Sequence, residues 1–517
     1  MPNWRSTRYR PRDPERSILY RAVAEHLPRL LATLDEADRG VPSFVKRELE
    51  GFLRCGVAQH GAALARCRSC GYERLVPWSC KGRGFCPACT ARRMNDTAAF
   101  LVDQVFPLQP VRMWVISFPP PLRYLLAYDA EVQSAVVGLF VREVYTWLRN
   151  TAKRELGLRS CVEASPASVT FLQRFGDGLR VNPHLHMLAL DGVYVQHKRD
   201  STPEFHALPA PSSVDLRVVG NTVWMRVTRL LQKLGKYFDA DPADTDTLAQ
   251  QYPLLAACYA AAIQNTVALG ERAGHGVMQL ALHGPPEHEH TDADSVGNAS
   301  TSRPMHGFNV HAGVRIAAQD RSRLERVCRY AARGPIALER LSRSPDGKLV
   351  LRLRKKFRNG ATHLAFSPTE FLEKLCALVP PPRLNLVRYH GAFAPNHRLR
   401  AQIVGPTREE HLRTPKQMKL FRRRSSKRQR KDGRDRALPR DRMPWRDLLK
   451  RTFHEDTVVC PRCHGTLRIV TPCLPFAAIQ RFLDATESQP IPSPQRARAP
   501  PSPEGQLSLF PSFENAA

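Results

Sequence analysis

Acidic residues are scarce in this chain: 48 Asp and Glu stand against 78 Lys and Arg over 517 residues, leaving a formal charge of +30 at pH 7. A field of that sign repels cationic partners and suits a polyanion, and nucleic acid is the commonest polyanion for so large a basic protein. Long apolar runs are also missing. No stretch approaches a membrane span, and the start Met1-Pro2-Asn3-Trp4-Arg5 has no apolar signal core, so the expected compartment is the cytoplasm. No Gly-x-x-x-x-Gly-Lys-Ser/Thr phosphate loop occurs, which argues against a fused helicase, and no internal repeat of useful length is visible. The length fits two or more domains, and 42% hydrophobic residues are enough to build their cores.

Cysteine is unevenly placed. Six of the thirteen fall in one stretch, as Cys55-x4-His60-x6-Cys67-x2-Cys70-x9-Cys80-x5-Cys86-x2-Cys89. Two Cys-x-x-Cys knuckles separated by fifteen residues match the spacing of a tetrahedral zinc site, and a reducing compartment disfavours disulfides. The expectation is one structural zinc on Cys67, Cys70, Cys86 and Cys89. The alternative is two ions dividing these with Cys55, His60 and Cys80. A later knuckle, Cys460 and Cys463, supplies two ligands of a possible second zinc, with His464 and Cys473 as candidates to complete it.

Open coordination chemistry is suggested by Asn182-Pro183-His184-Leu185-His186-Met187-Leu188. On a strand, His184 and His186 project to one face. The run Ser168 to Phe175 also reads as a strand, and Gly176-Asp177-Gly178 separates the two. A two-residue primed turn at Asp177-Gly178 puts Gln173 opposite Asn182 and diagonally beside His184. Two neutral imidazoles and an amide oxygen form an incomplete shell, fit for a divalent ion that also takes a phosphate oxygen.

From Asp320 to Arg333 the periodicity is helical, and Gly334-Pro335 ends it. Tyr330 shares a face with Arg326 and Arg333, which favour its ionised form and can grip phosphate. A tyrosine nucleophile needs that setting.

The motifs Ser79-Cys80-Lys81-Gly82-Arg83-Gly84-Phe85-Cys86-Pro87-Ala88-Cys89, Gln173-Arg174-Phe175-Gly176, Asn182 to His186 and Arg329-Tyr330-Ala331-Ala332-Arg333-Gly334-Pro335-Ile336 occur in a telling order. With Arg388-Tyr389-His390-Gly391 and Ala394-Pro395-Asn396, this resembles the rolling-circle transposases of the IS91 type, from about Arg21 to His464. The resemblance implies an α+β fold: a ferredoxin-like HUH nuclease core, an antiparallel sheet with helices, preceded by a zinc-binding module. It also implies nicking and joining of single-stranded DNA at element ends through a 5′-phosphotyrosine, with Tyr330 as nucleophile and Mg²⁺ or Mn²⁺ on His184, His186 and Gln173. Two departures stand out. Arg326 occupies the place of a first tyrosine in two-tyrosine members, so the chain resembles a single-tyrosine type. Phe85 stands where relatives often carry a histidine.

Around this core the expected divisions are a helical region 1–53, the zinc module 54–95, the nuclease core 105–345 with a helical insertion at about 205–305, and its continuation 346–405. Then follow a basic arm 406–445, a small Cys-x-x-Cys module 446–483 and a disordered tail 484–517. Helices are expected at Glu131 to Leu156, Asn221 to Phe238 and Trp445 to Phe453, strands at Val111 to Phe118 and, as an edge, Leu349 to Lys356. The stretch Glu287 to Asp292 reads as a flexible loop rather than a metal site. Arg422, Arg423, Arg424, Lys427 and Arg428 would hold DNA backbone without reading bases. Gln506, Leu507, Leu509 and Phe510 form a peptide similar to those that dock on the bacterial sliding clamp. The alternative functions are a rolling-circle replication initiator and a non-catalytic zinc DNA-binding protein.

Overall fold

The computed structural model describes residues 13–36, 40–197, 201–236, 246–281, 306–404, 443–453 and 457–487. The 422–428 basic run, the 506–510 peptide and the 287–292 stretch lie outside the described residues.

Strands Asn309–Ile316, Val111–Ser117, Val181–Leu190, Ala167–Phe175 and Val387–Gly391 form, in that order, a five-stranded antiparallel sheet. Its central strands are buried along nearly their whole length, because helices cover both faces. Adjacent residues Met187 and Leu188 therefore enter different cores. On one side Trp114, Ile116, Leu172, Leu185 and Met187 pack against helices Ala130–Leu156 and Ser213–Lys233. On the other, Val115, Phe171 and Leu188 meet Val327, Cys328 and Ala331 of helix Arg321–Ala332, which also packs on helix Pro87–Phe100. Each such large apolar side chain contributes about 1.5–3 kcal/mol when buried.

Helix boundaries follow local chemistry. The Asp129 carboxylate accepts from the backbone N–H of Glu131 and Val132, and Gly157 closes that helix at φ 62°. Asp320 caps the tyrosine-bearing helix by accepting from the Arg323 N–H. The helix expected from Asn221 begins earlier, at Ser213, because Ser212 and Asp215 form a capping box. It lies directly on the sheet, with Leu216, Val219, Val223, Val227 and Leu231 in the same core as Trp114 and Met187.

A second correction concerns the strand expected as an edge from Leu349. It spans Leu349–Arg352 and pairs on both sides, in a four-stranded sheet with Leu341–Arg343, His363–Phe366 and Met278–Leu280. Leu349, Val350 and Leu351 are all buried, so the basic alternation does not produce a charged face along the strand.

The small C-terminal module does not stand alone. Strand Leu467–Thr471 pairs with Ala62–Cys67, which pairs with Glu73–Pro77 in a three-stranded sheet. Among the described residues, no single helix is long and apolar enough to cross a membrane.

Candidate active site and metal centres

The turn between the two central strands sets the register of the site. It uses three residues, Asp177–Leu179, with Gly178 and Leu179 at φ 69° and 62°, and the Gly176 N–H donates to the Arg180 carbonyl at 2.9 Å. With a register shift between Gln173 and Phe175, Gln173 lies directly opposite His184. The two-residue turn expected from sequence would have placed it opposite Asn182; the extra turn residue and the bulge account for the difference.

His184 and His186 share the sheet face that carries the tyrosine helix. Their ring centroids are 4.8 Å apart. His184 Nδ1 lies 2.7 Å from the Asn182 carbonyl oxygen, a contact that selects the Nδ1–H tautomer and frees Nε2 as a donor of its lone pair. His186 is 3% exposed, and both its ring nitrogens are buried without a hydrogen-bond partner. Burial pushes the His184 pKa down to about 4 and holds that of His186 well below the usual imidazole range, so both are neutral at pH 7. Neutral, orphaned imidazole nitrogens are what a cation requires, and this pair fits a divalent ion.

The tyrosine helix closes the site. The Tyr330 ring meets His186 edge-on, centroids 5.5 Å apart. Gln173 Nε2 donates to the Tyr330 carbonyl at 3.3 Å, and Gln173 Oε1 accepts from Arg333 at 3.5 Å. The Arg333 guanidinium lies 4.4 Å from the Tyr330 ring centre and 5.8 Å from that of Phe175. Arg326, expected to flank the tyrosine on its other side, instead reaches back to Ser322 Oγ at 3.5 Å. Helical side chains lean toward the N-terminus, so Arg326 covers the preceding turn, whereas Arg333, in extended conformation past the helix end, folds over Tyr330.

Beside Gln173 and Arg333 opens a cleft also lined by Arg83, Arg93 and Arg174. These arginines were not singled out from the sequence; the basic residues interleaved with the cysteines, Lys81 and Arg83, were the available signal. The cleft joins the cysteine module to strand Ala167–Phe175, the neighbour of the histidine strand, and Arg83, Arg93 and the buried Arg174 each donate to backbone carbonyls around it.

Eight of the thirteen cysteines form two groups, Cys55, Cys80, Cys86 and Cys89, and Cys67, Cys70, Cys460 and Cys463. The quartet expected from spacing, Cys67, Cys70, Cys86 and Cys89, is thus divided between two clusters, and His60 belongs to neither. Spacing alone missed the cause. Phe52 and Phe85, 5.2 Å apart, pack Cys55 at the end of helix Ser43–Arg54 beside Cys86, while strand Ala62–Cys67 carries its knuckle toward Cys460 and Cys463. His464 and Cys473 are likewise outside both clusters.

In the first group the Sγ separations are 3.7 Å for Cys55–Cys89, 3.4 Å for Cys80–Cys89 and 3.6 Å for Cys55–Cys86. Tetrahedral Zn–S bonds of about 2.3 Å place sulfurs about 3.8 Å apart, close to these values. The neighbouring thiols donate to Cys55 and lower its pKa, while the same contacts raise that of Cys86. Four thiolates this close repel one another, and a divalent cation is what lets them ionise together. This closed, thiolate-only shell is a structural Zn²⁺ site.

A family model described as "Putative transposase" matches residues 168–401, and the IS91 "Transposase zinc-binding domain" matches residues 23–118. No curated protein and no solved structure matches the chain. The first match contains the histidine strand and the tyrosine helix, and the second contains the whole Cys55 cluster. Taken with the two cysteine clusters, these matches show that the chain belongs to the IS91-type transposases, zinc-binding DNA-transposition proteins of insertion sequences.

Proposed function

We propose that this transposase nicks and joins single-stranded DNA at element ends through a 5′-phosphotyrosine on Tyr330, by rolling-circle transposition on a ferredoxin-like HUH core. The observation that carries this reading is His186: both ring nitrogens are buried and orphaned beside His184, and its ring faces the Tyr330 ring. A Mg²⁺ or Mn²⁺ ion on His184, His186 and Gln173 would polarise the scissile phosphate. Tyr330 attacks the phosphorus; its oxygen forms the new P–O bond, the phenolic proton departs, and the 3′ oxygen leaves and is protonated. The 3′-hydroxyl can later attack the phosphotyrosine, restoring the diester without ATP. Arg333, stacked on the tyrosine, binds phosphate oxygens and limits the motion of the ring.

In this reading the strand passes Gln173 and Arg333 along the adjoining cleft, and the 422–428 basic run adds sequence-independent affinity. Deleting that run should flatten the salt dependence of binding. The 506–510 peptide is proposed to dock on the sliding clamp, and a tail peptide that fails to bind purified clamp at micromolar concentration removes that partner.

The test is a denaturing gel of purified protein with labelled single-stranded element ends and Mg²⁺ or Mn²⁺. A protein-linked strand is expected, absent in Tyr330→Phe and in His184→Ala. An adduct persisting in Tyr330→Phe removes the tyrosine from this role, and tight binding with no adduct at any end points to a non-catalytic DNA-binding protein.

A further inference from the structure

The second cysteine cluster brings together residues almost four hundred positions apart. Cys67 Sγ lies 3.5 Å from Cys463 Sγ, and Cys70 Sγ lies 3.6 Å from Cys460 Sγ. These separations again approach the edge of a tetrahedral zinc–thiolate shell and are far longer than the roughly 2.05 Å of a disulfide.

The backbones of the two knuckles match bond for bond. The Cys67 N–H donates to the Tyr72 carbonyl and the Gly71 N–H to the Cys67 carbonyl; the Cys460 N–H donates to the Gly465 carbonyl and the His464 N–H to the Cys460 carbonyl. The residue after each second cysteine, Gly71 or His464, has positive φ, 72° and 57°. The knuckles also sit close: a Cβ on Gly465 would lie 2.6 Å from Ser69 Oγ. The Gly465 N–H donates toward Cys463 Sγ at 3.4 Å, as the Gly82 N–H does toward Cys80 Sγ at 3.3 Å in the first cluster.

We propose that Cys67, Cys70, Cys460 and Cys463 hold a second zinc ion, which clips the C-terminal module to the N-terminal one and keeps it docked on the tyrosine helix. The pairing of Leu467–Thr471 with Ala62–Cys67 supplies the backbone half of this joint. Docking continues through helix Trp445–Phe453, whose Arg451 donates to Glu325 Oε2 at 2.5 Å and to Asp103 Oδ1 at 3.2 Å. Glu325 belongs to the tyrosine helix and also accepts from Arg329 at 3.3 Å. Cys70 and Cys463 are exposed, whereas three of the four cysteines of the first cluster are buried, so the clip is the more accessible of the two metals.

The experiment uses full-length protein purified under reducing conditions, with zinc counted by elemental analysis. About two ions per chain are expected in the wild type and about one in the pair Cys460→Ser with Cys463→Ser. Limited proteolysis should then release the C-terminal segment from the variant and not from the wild type. Titration of the wild type with a chelator gives the same answer if the variant folds poorly: zinc should leave in two phases, and proteolytic release should follow the first. One zinc in both proteins, two in the variant, a single release phase, or a mass deficit showing disulfides in the native protein overturns the proposal.

Discussion

Gln173 stands directly across the strand pair from His184, and its amide donates to the Tyr330 carbonyl at 3.3 Å. One side chain therefore fixes the distance between the histidine strand and the tyrosine helix. Gln173→Leu keeps the volume and deletes these contacts, and groups that orient a metal shell are commonly worth 10–100-fold. Adduct formation should slow by about that factor with DNA affinity nearly unchanged, as read by single-turnover gels beside filter binding. Gln173→Glu, which retains an oxygen ligand and can pair with Arg333, should recover most of the rate; equal loss in both variants would reduce Gln173 to a packing role.

Arg333 and Arg326 flank Tyr330 in sequence, but only Arg333 folds over its ring. Arg333→Lys preserves charge and loses the planar stack and the fork, so it should cost about tenfold in adduct rate. Arg326→Ala should change the same rate by less than about threefold. The reverse order would mean that the arginine preceding the tyrosine contacts the phosphate.

How much of this was legible depended on range. The tyrosine helix could be read from its periodicity and from Gly334-Pro335, and the histidine strand from two imidazoles on an apolar run, because those signals are local. The register was not legible: a third turn residue and a bulge beyond Gln173 moved the pairing by two residues. The zinc ligands were legible as residue types and not as sets, since Cys67 meets Cys463 across 396 positions and no spacing rule spans that gap. Arg451 was missed for the same reason; its partners Asp103 and Glu325 lie on other elements.

Asp191 lies at the end of the histidine strand and binds two arginines. Arg112 meets it bidentately at 2.6 and 3.0 Å, and Arg315 donates at 2.8 Å. Arg112 and Asp191 are both buried, and Arg112 also donates to the Ala312 carbonyl. Asp191→Ala leaves the Arg112 guanidinium buried without its counter-charge, which costs about 3–5 kcal/mol. Denaturant unfolding should show that loss. A change below about 1 kcal/mol would mean that water reaches Arg112 in the native state.

Glu373 and Lys374 are adjacent on helix Pro368–Leu378 and both are buried, giving stability an unusual pH profile. Burial raises the Glu373 carboxyl to about 7, opposed by the Ala268 N–H that donates to it, and lowers Lys374 to about 8. Between an unfolded carboxyl value of about 4.3 and about 7, the folded state holds a proton that the unfolded chain has lost, so stability falls as pH rises. Between about 8 and the unfolded lysine value of about 10.4, the unfolded chain holds the extra proton, so stability rises with pH. Together the two groups favour least stability between pH 7 and 8. Thermal melts from pH 5 to 10 should show Glu373→Gln flattening the acid limb and leaving the alkaline one, while Lys374→Met does the opposite. If Glu373→Gln tracks the wild type across the acid limb, the carboxyl is ionised in the fold and its burial is offset by the lysine beside it.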